Sequence, residues 1–344
     1  MADSRKGIVL FGELMIRLNA MNFERLIQAE ELRVFYTGAE ANVGASLANW
    51  GYEAIVVSRV PAHEIGQACV NYLRRFGIDT RHIQRAGDRL GILYVETGAS
   101  QRPSKVIYDR KGSAFTEFDD SQIDWDALFK GKRWFHFAGT APAVSERLVP
   151  ILERACAAAK RQAVSVSCDL NYRRKLWSQK QAQETMTRLM EFVDVLICNE
   201  EDAAMVFSIH AKDTDITLGT LSRDGYHDVA SQLVARFGFS HVAITLRESL
   251  SASINNWGAL LHHDGRSFFS RTYKMHVVDR IGGGDSFAAG LIYGLCEGMT
   301  AQDTVEFAVA ASCLKHSIPG DFNLVSLEEV RSLLAGGGSG RIQR

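Results

Sequence analysis

The segment of this sequence best suited to catalysis is a run of three glycines followed by an aspartate: Gly282, Gly283, Gly284 and Asp285. Glycine lets the backbone approach a ligand closely, and the helix predicted over residues 286–297 begins directly after the motif. The unpaired amides and the positive dipole end of a helix start favour a bound anion. A carboxylate beside that anion can accept a proton from a hydroxyl group in phosphoryl transfer. In a purely structural interpretation, the aspartate only caps the helix and the glycines only form a tight turn.

Two further polar segments follow buried strands. Residues 169–177 (DLNYRRKLW) start where the predicted strand 163–169 ends, and residues 199–202 (NEED) follow the predicted strand 193–198. Both segments therefore lie at the carboxyl ends of parallel strands, where open α/β sheets bind ligands. Acidic residues also favour a solvated helix start, so the second segment has a structural interpretation as well.

The glycine motif resembles a signature of the ribokinase-like (PfkB-type) carbohydrate kinases. Residues 277–290 (VVDRIGGGDSFAAG) resemble the C-terminal signature of that family, and residues 36–44 (YTGAEANVG) resemble its N-terminal signature. The chain departs from the family pattern at Arg280, where threonine is usual, and at Gly283, where alanine is usual. Thr37 stands where the N-terminal signature usually has its first glycine. The resemblance extends over nearly the whole chain.

This resemblance implies an ATP-dependent carbohydrate kinase in which Gly282, Gly283 and Gly284 form the anion hole and Asp285 is the catalytic base. It implies ATP and Mg²⁺ as cofactors and leaves a monovalent cation open. Asp202 replaces the glutamate of the family and is expected to hold Mg²⁺ through water. The residues expected to bind the nucleotide are Asn199, Arg247, Ser249, Arg280, Gly282, Gly284, Asp321 and Asn323. Arg247 and Ser249 could equally have only a structural role in shaping a loop.

Within the family, the chain resembles the 2-keto-3-deoxygluconate kinases. The segments that carry this likeness are residues 106–113, 169–173, 279–285 and 315–321. A sugar acid has a carboxylate, which a guanidinium matches with two planar donors. Arg173 at a strand end and Arg110 on a hairpin could supply this match, although the charged run around Arg110 could be only a solvated hairpin. The substrate-binding residues expected from the resemblance are Gly12, Gly38, Asn42, Tyr94, Tyr108, Arg110, Arg173 and Asp285.

The favoured reaction is transfer of the ATP γ-phosphoryl group to O6, the primary hydroxyl of the sugar acid. A kinase for a neutral sugar such as fructose or ribose stays open. A sugar-binding relative without catalysis is a third alternative, although the intact Asp285 favours an enzyme. A nicotinamide-dependent dehydrogenase would need GxGxxG after the first strand, and a P-loop kinase would need GxxxxGK[ST]; neither motif occurs.

Apolar runs alternate with helical patterns along most of the chain, which predicts a parallel sheet with helices on both faces. The predicted strands are 7–11, 54–60, 134–137, 163–169, 193–198 and 241–245. The predicted helices are 39–50, 64–76, 145–161, 181–192, 226–237, 286–297 and 304–316. The family resemblance specifies this α/β fold as a ribokinase-like three-layer α/β/α architecture with a central, mostly parallel sheet and a small β-sheet lid.

Two stretches, at about 13–38 and 90–116, lack a helical crossover and contain alternating strand patterns. They could form one small accessory sheet, a lid that excludes water, or two surface hairpins without a gating role. We expect one domain over residues 1–334 with the lid inserted, and a flexible tail at 335–344. The strand pattern at 32–36 has the edge character that could support a homo-oligomer.

Composition excludes several classes of protein. The formal net charge of −1 gives no basic field for nucleic acid or an anionic membrane. Hydrophobic residues make up 46% of the chain and charged residues 23%, which is typical of a folded protein. The N-terminal apolar run is too short for a signal sequence or a membrane span, so we expect a cytoplasmic protein. The six cysteines show no CxxC spacing and are expected to be buried free thiols.

Overall fold

The computed structural model describes residues 6–211 and 222–336, without the side chain of Glu200. Most of the tail expected at 335–344 lies outside the described residues. Within the described ranges, no helix combines the length and the apolar character that crossing a bilayer requires.

The central sheet lies between two layers of helices. The strands of the described chain are β1 (Gly7–Phe11), β2 (Met15–Ala20), β3 (Leu32–Thr37), β4 (Glu53–Val60), β5 (Ile83–Arg85), β6 (Gly91–Glu96), β7 (Lys105–Asp109), β8 (Trp134–Ala138), β9 (Ser165–Asp169), β10 (Val195–Cys198), β11 (His241–Ser249), β12 (Ile254–His263), β13 (Arg266–Phe269) and β14 (Tyr273–His276). The order in the central sheet is β13-β12-β11-β10-β9-β8-β1-β4-β5, with β14 also paired to β12. From β11 to β5 in this order, each strand is parallel to the next.

Alternating side chains of the central strands pack into two hydrophobic cores. In β1, Val9 and Phe11 belong to one core, while Ile8 and Leu10 belong to the other. The helices that contribute to the first core are α3 (Trp125–Phe129), α5 (Leu148–Arg161), α6 (Gln179–Met190), α7 (Glu200–Phe207) and α8 (Arg223–Phe237), with α4 (Thr140–Ala143) beside them. The helices of the second core are α1 (Ala39–Asn49), α2 (Glu64–Arg74), α9 (Gly283–Cys296), α10 (Ala301–Lys315) and α11 (Leu327–Leu334). Strands with both faces covered explain the uninterrupted apolar runs of the sequence.

The two stretches without a helical crossover pair into one small sheet. Its four strands lie in the order β3-β2-β6-β7. β2 is antiparallel to β3 and parallel to β6, and β7 is antiparallel to β6. The chain passes directly from β1 of the central sheet into β2 through residues 12–14, so the small sheet begins at the carboxyl end of a central strand.

The predicted strands and helices of the core are confirmed, with differences at their ends. The structure also has elements that were not predicted: β5 at one edge of the central sheet and the helices α3, α7 and α11. The strand predicted from Ala163 begins at Ser165, because Ala163 has φ 52° and closes the turn after α5. β12, β13 and β14 were not predicted; they form an antiparallel edge on an otherwise parallel sheet. The six cysteines are free thiols and five of them are buried.

Candidate active site

The three glycines before Asp285 have different surroundings. Gly282 has φ 82° and precedes α9, and a Cβ atom there would overlap the carbonyl oxygen of Asp321. A Cβ atom on Gly283 would overlap the ring of His316. A Cβ atom on Gly284 would meet no atom within 4 Å. The first two glycines therefore allow close packing, whereas the third keeps open space at the helix start.

The unpaired amides at the start of α9 are those of Gly284 and Asp285. The amide of Gly283 donates to the carbonyl oxygen of Arg280 at 3.2 Å, and that of Ser286 donates to Gly282 at 2.8 Å. The amides of Gly284 and Asp285, which lie between these two, have no hydrogen-bond partner among residues 6–211 and 222–336. Gly283 does not line the cavity beside them, whereas Gly282, Gly284 and Asp285 do. Unpaired amides at a helix N-terminus are suited to an anion.

Asp285 is held by a side chain from the other end of the sequence. Nδ2 of Asn42, in the first turn of α1, donates to Oδ2 of Asp285 at 2.6 Å. The hydroxyl of Thr37 donates to Oδ1 of Asn42 at 3.3 Å, which orients the amide group. Burial raises the pKa of Asp285 to about 6, although the hydrogen bond from Asn42 lowers it. The carboxylate is thus mostly ionised at neutral pH and can accept a proton.

A cavity of about 760 Å³ lies at the carboxyl ends of the central strands, in front of Asp285. The small sheet supplies part of its wall through Met15, Leu93, Val106 and Tyr108. The predicted site residues that line this cavity are Asn42, Tyr108, Arg110, Arg173, Asn199, Asp202, Arg247, Arg280, Gly282, Gly284 and Asp285. Motifs far apart in sequence therefore meet at one place.

Gly12, Gly38, Tyr94 and Ser249 do not line the cavity. A Cβ atom on Gly12 would overlap the carboxyl group of Glu40, and one on Gly38 would overlap a backbone oxygen, so these two glycines allow close packing behind the site. Tyr94 follows Leu93, which faces the cavity, and successive side chains of a strand point to opposite faces. Ser249 is exposed at the end of β11.

Asp321 and Asn323 were expected at the nucleotide and instead lie in the core behind α9. Asp321 is 2% exposed and forms an ion pair with the buried Arg17. Nδ2 of Asn323 donates to the hydroxyl of Ser286 at 2.7 Å, and its Oδ1 accepts from the amide of Val325 at 3.0 Å. Asn323 thus stabilises the start of α9, Asp321 pairs with β2, and neither residue lines the cavity.

Glu13 is a cavity residue that the sequence analysis missed. It follows β1 and Gly12, and it is 5% exposed. One carboxylate oxygen accepts from the hydroxyl of Ser113 at 2.5 Å, and the other forms an ion pair with Arg110. The signal was present, because a charged residue directly after a buried parallel strand lies at the ligand-binding edge of the sheet.

The carboxyl groups of the half-buried Asp169 and the buried Asp202 form an acidic patch on the cavity wall. Burial and the neighbouring Asp202 raise the pKa of Asp169 to about 8. Burial raises the pKa of Asp202 to about 6, although the charge of Arg173 lowers it. Oδ1 of Asp202 accepts from the amide of Tyr172 at 3.2 Å. Within the described ranges, no group of three or more His, Cys, Asp and Glu side chains could enclose a metal.

This acidic patch fits Mg²⁺, which proteins commonly hold by one or two carboxylates, with water and substrate phosphates as the other ligands. Asp169 and Asp202 are the residues that would hold it. Asn199 lines the cavity beside them, and its side-chain oxygen accepts from the amide of Asp202 at 2.7 Å. Asn199 therefore caps the N-terminus of α7 at the edge of the cavity.

Positive charge lies on the other parts of the wall. Arg173 is exposed to the cavity and donates to the carbonyl oxygen of Tyr172 at 3.3 Å, with no carboxylate ion pair in the described part of the chain. Arg280 donates to the carbonyl oxygen of Ala252 at 3.1 Å. Burial lowers the pKa of Arg280, and the charge of Arg247 lowers it further. Two guanidinium groups that repel each other are stabilised by an anion bound between them.

Comparisons with known proteins identify the family of this chain. A family model described as pfkB family carbohydrate kinase matches residues 5–323. The 2-dehydro-3-deoxygalactonokinase of Haloferax volcanii is 31% identical over 333 residues, which cover 97% of this chain and 98% of the relative. The solved structure of the 2-dehydro-3-deoxygluconokinase of Thermotoga maritima is 46% identical with a TM-score of 0.92, and the match covers 96% of this chain and 99% of that one.

A fructokinase of Xylella fastidiosa, solved with bound ATP, has the same fold. It is 19% identical with a TM-score of 0.77, and the match covers 97% of this chain and 100% of that chain. The fold is thus the ribokinase-like α/β architecture that the sequence motifs implied, with a large, mostly parallel sheet and a smaller separate sheet.

Proposed function

Because the chain belongs to the pfkB family of carbohydrate kinases and is an ATP-dependent carbohydrate kinase, we propose that it phosphorylates 2-keto-3-deoxygluconate on O6. The names of the two similar proteins described above support a deoxy sugar acid as the substrate. They also make 2-keto-3-deoxygalactonate, which differs in the configuration of one hydroxyl group, the second candidate.

The charges of the cavity support an acid substrate. Arg110 forms an ion pair with Glu13, whereas Arg173 forms no direct ion pair with a carboxylate in residues 6–211 and 222–336, although its charge acts on the nearby Asp202. We assign the substrate carboxylate to Arg173, because a guanidinium offers two parallel donors to a carboxylate. Glu13 and Arg110, together with the hydroxyl of Tyr108, would hydrogen-bond the sugar hydroxyls.

The observation that carries the proposal is the position of Asp285. Its carboxylate lies beside two unpaired amides, at the wall of a cavity large enough for both substrates. In the proposed reaction it accepts the proton of the attacking hydroxyl, while the amides of Gly284 and Asp285 stabilise the charge that develops on the transferred phosphoryl group.

The remaining charged residues orient the nucleotide. Arg247 and Arg280 would bind phosphate oxygens, since both guanidinium groups line the cavity beside the loop before α9. Mg²⁺ held near Asp169 and Asp202 would supply charge neutralisation for the ATP phosphates. The small sheet covers one side of the cavity, so we keep the proposal that it acts as a lid that excludes water.

A coupled assay of ADP release tests this function. The assay compares 2-keto-3-deoxygluconate, 2-keto-3-deoxygalactonate, 2-ketogluconate, fructose, ribose and adenosine at equal concentration. We expect the highest kcat/KM for one of the first two acids. A higher kcat/KM for fructose or ribose would replace the acid substrate by a neutral sugar, and binding without any turnover would favour a sugar-binding protein.

A cytoplasmic location and a homo-oligomer formed through the small sheet remain predictions.

A further inference from the structure

The side chain of Lys315 enters the loop that precedes the three glycines. Lys315 is the last residue of α10 and is 0% exposed. Its ammonium group donates to the carbonyl oxygen of Asp279 at 3.1 Å and to that of Ile281. These two carbonyl groups lie within three residues of Gly282, so the ammonium contacts the backbone that leads into the anion site.

The same loop is fixed on its other side by the end of α10. The amides of Val278 and Asp279 both donate to the carbonyl oxygen of His316, at 2.9 and 3.2 Å. Oδ1 of Asp279 accepts from the amide of Ile281 at 3.1 Å, and Oδ2 accepts from the amide of Gly320 at 3.0 Å. The loop is thus bound to the end of α10 and the turn after it, with the ammonium group as the only cation that contacts its carbonyl oxygens among the described residues.

Opposite charges meet beside this loop. Arg17 is 1% exposed and forms ion pairs with the half-buried Asp279 and the buried Asp321, and the ammonium group of Lys315 is the second cation close to these carboxylates. Burial lowers the pKa of Lys315, while the two carboxylates raise it. Removal of the lysine charge would take away a cation that Asp279 and Asp321 stabilise, and a buried charge that loses its partner is strongly unfavourable.

A bound monovalent cation would need the oxygen atoms that Lys315 already occupies. Proteins hold dehydrated potassium ions with groups of backbone carbonyl oxygens, which replace the hydration shell of the ion. At the loop before α9, the carbonyl oxygens of Asp279 and Ile281 hydrogen-bond an ammonium group, which carries the same charge. The residues present therefore do not fit an additional monovalent cation at this position.

We propose that the ammonium group of Lys315 is a built-in replacement for a monovalent cation at the Asp279–Ile281 loop, so that the kinase needs no potassium. Lys315 is a positioning residue, because it holds the backbone that presents the amides of Gly284 and Asp285 and does not line the cavity itself. The proposal rests on the kinase activity and is independent of which sugar acid is the substrate.

Two substitutions that both remove the charge separate this role from simple packing. Lys315→Ala leaves an empty space beside the carbonyl oxygens, whereas Lys315→Met fills most of that space with an uncharged chain. Small misplacements of catalytic groups can cost about a hundredfold in rate, and we expect a loss of that order in both variants. Added KCl or NH4Cl, at constant ionic strength against tetramethylammonium chloride, should restore Lys315→Ala by more than about tenfold and leave Lys315→Met unchanged.

Wild-type protein should give the same kcat and KM in potassium and in tetramethylammonium chloride. Lys274→Met, which removes an exposed ammonium group from β14, is the matched control and should behave as wild type in every salt. The melting temperature and the affinity for Mg-ADP, measured by calorimetry in the same salts, provide readouts that need no sugar substrate. Both should rise with KCl only for Lys315→Ala.

The proposal is overturned if potassium activates the wild-type enzyme severalfold, if both lysine variants keep the wild-type rate, or if Lys315→Ala responds equally to potassium and tetramethylammonium. If the two variants do not fold, the salt comparison of wild-type protein still decides. If no sugar acid is phosphorylated, the substrate proposal fails, while the calorimetric measurements with Mg-ADP still test Lys315.

Discussion

Nδ2 of Asn42 lies 2.6 Å from Oδ2 of Asp285, and this hydrogen bond joins the first turn of α1 to the first turn of α9. The two residues are 243 positions apart in the sequence. Burial raises the pKa of Asp285 and the hydrogen bond from Asn42 lowers it, which leaves a pKa of about 6. The pair thus forms a carboxylate that is ionised at neutral pH and is still a stronger base than an exposed aspartate.

Replacement of Asp285 by asparagine should remove the base and keep the shape of the site. We expect kcat to fall by about a thousandfold, because a positioned general base contributes a factor of that order. The dissociation constant of the sugar acid, measured by calorimetry, should change little. Asp264→Asn, at an exposed turn of the β12–β13 hairpin, is the control. A variant at 285 with near wild-type kcat would show that another group accepts the proton.

Replacement of Asn42 by alanine should shift the pH dependence. The hydrogen bond from Asn42 stabilises the charged form of Asp285, so its loss should raise the pKa of the carboxyl group above 6. The acidic limb of the plot of kcat/KM against pH should then move upward by about one unit. Rates of the wild type and the variant from pH 5 to pH 9 provide the measurement. An unchanged limb would mean that the limb reports a different group.

The fold and the position of Asp285 at the cavity were predictable because they depend on local patterns. The apolar run at Gly7–Phe11 is buried on both faces, and such a strand is recognisable from the sequence alone. Gly284 and Asp285 were found because a glycine-rich loop before a helix has few other uses than a turn or an anion site. The sequence indicated correctly that 13–38 and 90–116 contribute strands to one small sheet.

The orientation of individual side chains was not predictable. Tyr94 and Leu93 lie next to each other in β6, and only the register with β7 determines which of them faces the cavity. Asp321 follows α10, and the family resemblance placed it at the nucleotide. In the structure it pairs with Arg17, which lies 304 residues earlier, and no pattern in the sequence around Asp321 indicates that partner. The close packing of Gly283 against His316 likewise depends on how α9 and α10 meet.

Replacement of Arg173 by alanine should affect acidic substrates more than neutral ones. The guanidinium group lines the cavity and forms no direct ion pair with a carboxylate in the described residues, so its donors can bind the carboxylate of a sugar acid. A charged hydrogen bond is worth about 1.5–3 kcal/mol, and kcat/KM for the acid should fall by roughly ten- to a hundredfold. Lys175→Ala removes a nearby exposed positive charge that does not line the cavity, and it is the matched control. Equal losses for the acid and for fructose would remove Arg173 from the carboxylate site.

Replacement of each of the three glycines by alanine should distinguish the glycines that are needed for packing from the one that borders the binding site. Gly283→Ala places a methyl group against the ring of His316, and Gly282→Ala adds backbone strain at φ 82°, so both should lower the melting temperature. Gly284→Ala has open space and should keep the wild-type melting temperature, while its methyl group stands beside the unpaired amides and lowers kcat/KM by about tenfold or more. Differential scanning calorimetry and the kinase assay measure the two effects. A destabilised, fully active Gly284→Ala would contradict the assignment.

Replacement of Glu40 by glutamine should change how stability depends on pH. Glu40 is 2% exposed, its Oε1 accepts from the amide of Ala138 at 2.8 Å, and burial raises its pKa to about 8. Because the folded pKa is above the ordinary value of 4.5, the native state keeps a proton that the unfolded chain has released, and stability falls as the pH rises from 4.5 through 8. Glutamine does not titrate.

Between pH 6 and pH 9, the free energy of unfolding of the wild type should therefore fall relative to Glu40→Gln by about 2–3 kcal/mol. Urea unfolding at several pH values measures this difference. Glu96→Gln is the control, because its hydrogen bond with the amide of Leu26 and its contact with Arg102 lower the pKa of Glu96. That carboxyl group is ionised in both states above pH 6, so the stability difference between Glu96→Gln and wild type should stay constant over the same range. A constant difference for Glu40→Gln as well would mean that Glu40 is already ionised in the folded protein at pH 6.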